Sequence, residues 1–582
     1  MRQREAEKHR SRPFRLPPTP GVFFVLWITS FHGLSATGTA LGDVPLHDRI
    51  DRMIAANAGG PVAPPAGDAE FLRRVYLDLA GHVPSSADAR LFLADTAPDK
   101  REKLIDALLA GPDYPRRMAD AFDVMLMERR LRGDTPWHKY LETSFAADKH
   151  WDDLTREILC PDAENPGTRA SAFFYVKRLE QTGANPVDYP LLTRDIGRLF
   201  LGVDLKCAQC HNHKYIKDYK QVDFQGLLAF VGQTFIRRDV KGGPAIGEKP
   251  LVKKIDYVSV FHPSDKFETG PRVPFGTEMQ MPSLKKGEEW AQKPDPRTKF
   301  PGVPKFDTLR LLADQTARAD NEKFKQNIVN RLWFLMMGRG LVNPLDLSNS
   351  ENPPSHPALL NLLAEKFANS RFDIKSFIRE LALTRIYQRT SLLSGDNATA
   401  PPESYRVANA KRMSAEQIAQ SMLVATAQLE AVRAIKEQKV KPVAVDPTAD
   451  AAPPEEKAMA SSARVPLNVV YQKFVAAFGS PAGEAEVEFA PSVAGALFVS
   501  NEKFILAWLQ PEPGNLAGKL SKIDDPKALA DELYLSVLTR SPTDDERADV
   551  AAFLTKHAAE RDKAIGEMEW ALLASTEFCV NH

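Results

Sequence analysis

Apolar residues recur at helical spacing along most of the chain. In the segment EFLRRVYLDLA, which spans 70–80, they stand at positions 71, 72, 75, 76 and 79, on one face of a helix. The pattern therefore predicts a mainly α-helical protein. Similar apolar patterning predicts further helices at 100–109, 118–130, 191–201, 224–231, 306–313 and 321–337, two over 358–387, and a helical C-terminus over 526–582.

The helical pattern stops at residues 238–306. This segment is rich in Gly, Pro and Lys, and apolar and polar residues alternate only briefly, over 255–260. We expect a loop-rich connector with a few short strands, placed between a helical domain at 45–237 and a second one at 307–582. Within the second domain, residues 436–464 are polar, rich in Pro and Ala, and aperiodic, which predicts a disordered insertion.

Two helical hairpins share the same start signal. The segment VYLDLAGHVPSSAD at 75–88 aligns without gaps with LYLSVLTRSPTDDE at 533–546. In each, a hydroxyl residue is followed three positions later by an acidic residue, which is the pattern of a capping box. A solenoid needs at least about three repeats, so we expect one type of hairpin used in two domains. The capping pairs are Ser85 with Asp88 and Thr543 with Glu546.

The N-terminus has the order of a secretory signal peptide. Six basic residues lie between positions 2 and 15, the apolar run VFFVLWITSF follows at 22–31, and small residues occupy 35–40. We expect a signal peptide at 1–40 and a periplasmic or cell-envelope location. An uncleaved anchor is the alternative, but a bilayer span needs about 20 apolar residues. No later run is long enough, so we expect no stable membrane span after signal cleavage.

Composition narrows the possible partners and sites. The 582 residues include 76 Lys and Arg and 76 Asp and Glu, so the formal net charge is zero. A nucleic-acid-binding protein carries a basic excess, and we therefore expect no nucleic acid as a partner. The four cysteines are too few for a disulfide-rich scaffold. The oligomeric state does not follow from any of these features.

Two of the cysteines belong to a CxxCH motif, Cys207-Ala208-Gln209-Cys210-His211. This is the attachment pattern of c-type haem. Thiols three residues apart on one turn can reach both vinyl groups of a porphyrin, and the adjacent histidine can ligate the iron. The motif predicts an electron-transfer protein in which Cys207 and Cys210 tether haem c, His211 is the axial ligand, and a redox protein is the partner.

Three other interpretations of the motif remain open. The cysteine pair could be a structural disulfide in an oxidising compartment. It could be a thioredoxin-like redox pair, although no βαβ pattern surrounds it. With His211 and His213 it could hold a non-haem metal. In those cases the protein would be a cell-envelope scaffold, a ligand-binding protein or an enzyme, so enzymatic activity stays undecided.

The second axial ligand is harder to assign from sequence. Met281 stands before Pro282 in GTEMQMPSL, at a distance downstream that suits a distal methionine, and is our candidate metal ligand. A methionine that only fills a gap in the core would show the same sequence pattern. Other candidates for this position are Met279, His262 and His356, with His213 as a supporting group.

Several further residues have simple structural explanations. Cys160 and Cys579 could pair, but we expect both to stay buried and unpaired. Four lysines near the motif are expected on a solvated loop, where they could also attract an acidic partner. A polar cluster at 346–356 could bind a metal or a sugar, although a loop of turn-forming residues is the favoured explanation. These residues are Lys206, Lys214, Lys217 and Lys220, and Asp346, Asn349, Glu351, Asn352 and His356.

Two long stretches resemble a pair of known domains. The first contains FLRRVYLDLAGHVPSSADARLFLAD, DKREKLIDALLAGPDY and FLGVDLKCAQCHNHKYIKDYKQVDFQGLLAF, and it resembles the planctomycete cytochrome-type domain. The second contains NRLWFLMMGRGLVNPLDLSNSENPPSHPALLNLLA, YRVANAKRMSAEQIAQSMLVATAQL and EWALLASTEFCVNH, and it is similar to the planctomycete-specific domain that usually follows. Together the two stretches cover about residues 45–235 and 310–582.

The resemblance implies a cytochrome-type site at Cys207, Cys210 and His211. Neither domain has an assigned activity, so the resemblance implies no substrate. The chain departs from the family pattern after His213, where Lys214 and Tyr215 replace the usual Pro-Phe.

Overall fold

The computed structural model describes residues 44–131, 135–180, 186–393, 400–435, 465–486 and 493–582. The predicted signal peptide at 1–40 and the predicted disordered insertion at 436–464 lie outside the described residues. The described part of Pro45–His582 forms one compact unit.

Helices dominate the described residues, and the predicted mainly α-helical class is confirmed. The first ten α-helices are α1 Leu46–Ala56, α2 Asp68–Leu79, α3 Ser86–Ala94, α4 Lys100–Ala110, α5 Asp113–Met127, α6 Pro136–Ala146, α7 Trp151–Leu159, α8 Phe173–Leu179, α9 Tyr189–Leu201 and α10 Gln221–Val231. The next six are α11 Thr308–Thr316, α12 Glu322–Met337, α13 Pro357–Asn369, α14 Ile374–Leu383, α15 Ala415–Ala425 and α16 Leu429–Arg433. The last eight are α17 Leu467–Phe478, α18 Val493–Asn501, α19 Lys503–Trp508, α20 Leu516–Leu520, α21 Pro526–Leu538, α22 Asp544–Lys556, α23 Arg561–Leu573 and α24 Thr576–Cys579.

The short strands form four two-stranded antiparallel sheets among the described residues. The alternating run at 255–260 is confirmed as a strand, and it pairs with the segment that follows it. Five of the strands lie in the connector, as expected for a loop-rich segment. The strands are β1 Thr234–Ile236 with β2 Ile246–Glu248, β3 Ile255–Ser259 with β4 His262–Thr269, β5 Trp290–Gln292 with β6 Val303–Pro304, and β7 Lys411–Arg412 with β8 Val580–Asn581.

Helix α5 differs from its prediction at both ends. The sequence predicted a helix at 118–130, but α5 begins at Asp113, directly after Pro112, and ends at Met127. It ends because Glu128 and Arg129 adopt left-handed backbone angles, with φ of 45° and 61°. Side chains other than glycine rarely adopt this conformation, and such strain persists only where the surroundings impose it.

The buried apolar residues form two cores that meet at α2. This helix supplies Leu72 to the first core and Leu77 to the second. Because one rigid helix contributes to both, the two cores cannot move independently without exposing apolar surface. The domain division at 237 and 307 stays a prediction. The first core takes residues between Ile50 and Tyr405 with Leu535, and the second takes Leu77, Val83 and residues between Met413 and Phe578.

Both predicted hairpins form, and each begins its second helix with the expected cap. The Ser85 hydroxyl accepts a hydrogen bond from the Asp88 amide at 3.1 Å. Thr543 and Glu546 form a complete capping box at the start of α22. The hairpins α2–α3 and α21–α22 also contact each other, through an ion pair between Arg90 and Glu532.

Among the described helices, none is both long enough and apolar enough to cross a bilayer.

Glu569 in α23 provides a test of the second core. Its side chain is fully buried, and neither carboxyl oxygen has a hydrogen-bonding partner among the described residues. Burial raises the pKa of Glu569 from 4.5 to about 8. The unfolded chain therefore ionises at lower pH than the folded one, so this carboxyl destabilises the fold increasingly as the pH rises from about 4.5 to 8.

We expect Glu569→Met to stabilise the protein by about 1–3 kcal/mol at pH 8 and by much less at pH 5. Urea unfolding at both pH values measures the difference. The control is Glu567→Met, two residues earlier on the exposed side of α23. This substitution should change the free energy of unfolding little at either pH. Equal effects of Glu569→Met at the two pH values would show that the carboxyl is not buried and unpaired.

Candidate functional site

The CxxCH motif forms a short exposed turn between α9 and α10. Cys207–Gln209 adopt a single 3₁₀ turn. Ala208 is fully buried in the first core and anchors the turn. The thiols of Cys207 and Cys210 are exposed and not bonded to each other. The fold therefore presents both thiols to the outside from one turn.

The histidine of the motif has one ring nitrogen engaged and one open. Nδ1 of His211 lies 2.7 Å from the backbone oxygen of Asn212, which can only accept, so Nδ1 carries the proton. No described residue hydrogen-bonds to Nε2. A metal-ligating histidine commonly donates its other ring N–H to a carbonyl in this way. His211 therefore has the tautomer that an axial ligand needs.

The tip of the β3–β4 hairpin lies beside the turn and is apolar. The Val260 amide donates to the Cys210 carbonyl oxygen at 3.0 Å, and the Phe261 ring centroid lies 4.6 Å from that of His211. Val260 is 58% exposed and Phe261 62% exposed. With Val258 they form what we call the hairpin patch. Neighbouring exposed apolar side chains of this kind are typical of binding surfaces.

These residues fit a covalently attached haem in their chemistry. Two free exposed thiols, a histidine with an open Nε2 and an adjacent apolar surface are the groups that such attachment uses. No group of three or more His, Cys, Asp or Glu in the described part of the chain is arranged to hold a metal ion. Among the described residues, His211 is therefore the protein ligand that supports the fit to a haem.

The candidate second ligands have contacts elsewhere. The sulfur of Met281 lies against Gly270, just beyond the end of β4, and Met279 packs at the edge of the first core. His356 is buried beside Tyr405, with ring centroids 5.7 Å apart. No described contact joins Met279, Met281, His262 or His356 to His211, and Met281 as axial ligand stays a prediction.

His213 shapes the loop that follows the motif. Its Nδ1 accepts hydrogen bonds from the amides of Tyr215 at 3.2 Å and Ile216 at 2.8 Å. Its own amide donates to the Tyr219 carbonyl oxygen at 2.9 Å. These bonds hold the loop without the Pro-Phe of the family pattern. The four lysines around the motif, Lys206, Lys214, Lys217 and Lys220, are all exposed.

The remaining cysteines are unpaired, as expected, but they are half-buried and not fully buried. Cys160 and Cys579 are free and half-buried, and they pack at the edges of different cores. Burial raises the pKa of the Cys160 thiol to about 12 and also raises the pKa of Cys579. Both thiols stay protonated at neutral pH and are poor nucleophiles.

A second feature, which the sequence analysis missed, is a charged cavity of about 410 Å³. Its wall is formed by residues of α2, α5, α9 and α12, the loop at 343–346, β7, the start of α15, residues 485–486 and β8. None of Cys207, Cys210 or His211 lines it. The ionisable residues of its wall are the cations Arg117, Arg198, Arg331, Lys411 and Arg412 and the acids Asp78, Asp120, Glu128, Asp346 and Glu486.

One side of this cavity is a network of buried ion pairs. Arg198 binds Glu128 through both terminal nitrogens, at 2.5 and 2.8 Å, and also Asp346 and Asp195, each at 2.9 Å. Asp195 binds Arg178 at 2.7 Å as well. We call this network the charge cluster; its members are Glu128, Arg130, Arg178, Asp195, Arg198, Arg331 and Asp346.

The charge cluster keeps its acids ionised. Burial alone would raise the pKa of Asp195, but the guanidinium groups of Arg178, Arg198 and Arg130 outweigh it and hold the pKa at about 2. Glu128 is affected in the same way, and its pKa is lowered mainly through Arg198 against the effect of burial. On the opposite side, burial lowers the pKa of Lys411 to about 8, although Asp78 partly offsets it.

Only one member of the predicted polar cluster at 346–356 reaches the cavity. Asp346 lines it. Asn349 and Asn352 instead each donate to the carbonyl oxygen of Leu347 at 3.0 Å, and the Glu351 amide donates to Asn349. These bonds form the turn, as expected from the residue types. The sequence signal for the cavity was the presence of arginines and acids within otherwise apolar helices, such as Asp195 and Arg198 in LLTRDIGRLFL.

From the charge cluster we expect a single substitution to lower the free energy of unfolding strongly. Asp195→Ala should destabilise the protein by about 3–5 kcal/mol, because it leaves buried arginines without their partner. The matched control is Asp204→Ala. Asp204 also binds an arginine through two oxygens, but its side chain is 21% exposed against 1% for Asp195, so about 1 kcal/mol or less is expected.

Urea unfolding at neutral pH compares the two variants. Because the folded pKa of Asp195 lies below its unfolded value of 3.8, the stabilisation is present above about pH 4 and is lost as the pH falls towards 2. The difference in free energy of unfolding between wild type and Asp195→Ala should therefore decrease as the pH falls from about 4 to 2. Similar losses for Asp195→Ala and Asp204→Ala would contradict the buried network.

Two family models match the chain. Residues 49–235 match PSCyt2, described as a protein of unknown function (DUF1549), and residues 310–554 match PSD1, described as a protein of unknown function (DUF1553). No curated protein and no solved structure matches the chain. The CxxCH turn lies in the first matched segment, and the descriptions mention neither haem nor electron transfer. The resemblance to a planctomycete-type domain pair is confirmed: the chain carries a PSCyt2 domain followed by a PSD1 domain, both of unknown function.

Proposed function

We propose that this chain is an exported electron-transfer protein that binds one c-type haem covalently, through Cys207 and Cys210, with His211 as axial ligand. The observation that carries the proposal is the arrangement of the motif itself. Both thiols are free and exposed on one turn, and the adjacent histidine has its Nε2 open.

The exposure of both thiols suits the attachment chemistry. Each cysteine adds its S–H across one vinyl double bond, the sulfur bonding to one carbon and the hydrogen to the other. The addition consumes two thiols and needs no oxidant. Cys160 is half-buried, stands alone in the sequence and has its thiol pKa raised to about 12, so Cys207 and Cys210 are the pair suited to attachment.

The surroundings of the turn support the same proposal. The Asn212 carbonyl orients the His211 ring, and the hairpin patch offers an apolar surface for the macrocycle next to it. When bound, the haem supplies one-electron redox chemistry. The exposed Lys206, Lys214, Lys217 and Lys220 would attract an acidic redox partner and speed its association.

The test is to express the full chain with its N-terminus intact in a host that exports it and attaches c-type haem. The purified protein should show the pyridine-haemochrome absorbance of one haem per chain, and its denatured mass should rise by one haem. Replacing Cys207 and Cys210 together by Ser should abolish both signals. Cys160→Ser is the matched control and should keep both.

The other interpretations give different results in the same experiment. A chain lighter by two hydrogen atoms, with that mass regained on reduction, would indicate a disulfide between Cys207 and Cys210. Stoichiometric zinc that is lost in the double-Ser variant would indicate a non-haem metal site. An unmodified mass with free thiols would contradict attachment at this turn.

A further inference from the structure

The charged cavity is separate from the CxxCH turn and has the size of a ligand site. Its volume of about 410 Å³ falls within the range of small-molecule pockets, roughly 300–1,000 Å³. Five helices, α2, α5, α9, α12 and α15, contribute to its wall, so its shape is determined by the packed fold and not by one loop.

Two cations of this wall, Arg117 and Arg412, form no ion pair with a described acid, and Arg117 is the buried one of the two. It is 6% exposed, and its Nε donates to the backbone oxygen of Asp78 at 3.3 Å. No described residue accepts a hydrogen bond from its Nη1 or Nη2. A buried guanidinium without an acceptor is costly. The cavity therefore offers two free donors in the fork geometry that binds a carboxylate.

The acids of the wall are already occupied by other cations. Asp78 binds the Lys411 ammonium at 2.6 Å and accepts from Tyr387 and Asn581, each at 2.8 Å. Asp120 lies 2.7 Å from Nε2 of His138. Glu128 and Asp346 bind Arg198, and Glu486 binds Arg129. Because these carboxylates are paired, they do not supply the partner that Arg117 lacks.

The start of α15 favours the same ligand charge. Ser414, the N-cap of this helix of 11 residues, lines the cavity, and so does Gln417 in its first turn. The amino end of a helix carries partial positive charge and attracts anions. This observation is independent of Arg117.

A large part of the wall is apolar. Phe122 and Met125 of α5 and Leu332 and Leu335 of α12 line the cavity. Apolar walls with a few placed polar groups are typical of sites for organic ligands. An inorganic anion would leave this surface empty.

We propose that the cavity binds a small organic carboxylate, whose carboxylate group is held by Arg117 and whose body packs on the apolar wall. The body can be a flat apolar ring or an acidic sugar, because both present a carboxylate on a compact ring. The site is independent of haem attachment and does not rest on it.

Calorimetry on the purified full chain tests the proposal with two probes, 4-bromobenzoate and glucuronate. Their neutral counterparts, 4-bromobenzamide and glucose, test the need for charge. At least one carboxylate should bind with a Kd at or below about 1 mM and at least about tenfold more tightly than its neutral counterpart, because a charged hydrogen bond is lost. Which carboxylate binds distinguishes the two kinds of body.

Arg117→Met keeps the length of the side chain and removes the guanidinium, and it should weaken that binding about tenfold or more. The matched control is Arg389→Met. Arg389 is also 6% exposed and donates to a backbone oxygen, that of Tyr405 at 2.6 Å, but it lies outside the cavity wall. Its substitution should leave binding unchanged.

A crystal soaked with 4-bromobenzoate gives a readout that does not depend on a variant folding. An anomalous bromine peak inside the cavity, with the carboxylate on Arg117, is the expected result for a ring ligand; for an acidic sugar, glucuronate density takes its place. The proposal is overturned if neither carboxylate binds at about 10 mM, if binding survives Arg117→Met unchanged, or if the bound molecule lies elsewhere.

Discussion

The bidentate ion pair between Glu128 and Arg198 is the contact around which the rest of the structure is arranged. Neither charge reaches bulk water to any extent, and a buried charge separated from its partner is strongly destabilising. Arg198 lies in α9, Glu128 directly follows α5, and Asp346 holds the same arginine from the loop at 343–346. These three elements therefore keep fixed relative positions. The left-handed backbone at Glu128 is a strained conformation that this pair helps to hold.

Both candidate sites depend on that arrangement. The CxxCH turn follows α9 after a short connection, and the Asp204 amide in that connection donates to the backbone oxygen of Asp346 at 2.9 Å. Helices α5 and α12, which the charge cluster joins to α9, form the apolar part of the cavity wall. The charge cluster thus positions an exposed turn with two thiols and a pocket with a guanidinium that forms no ion pair, although no residue belongs to both sites.

The local parts of this picture could be predicted from sequence, and the long-range parts could not. Helix periodicity, the caps at Ser85 and Thr543, the strand at 255–260 and the CxxCH turn all depend on residues close together in the chain. The cavity depends on pairs far apart: Glu128 and Arg198 are 70 positions apart, and Arg198 and Asp346 are 148 apart. The sequence pattern of α9 predicts a helix but does not indicate where its arginine and acid lie, and in the structure the helix is buried on nearly every side.

The most direct test of the central role of this pair is a double-mutant cycle on Glu128→Ala and Arg198→Ala, followed by urea unfolding at neutral pH. Each single variant removes the bidentate partner of a buried charge, which keeps only its other contacts in the charge cluster, and the double variant removes both charges. We predict a coupling energy of at least about 2 kcal/mol between the two positions. A coupling energy within about 0.5 kcal/mol of zero, with the two losses simply additive, would contradict the account.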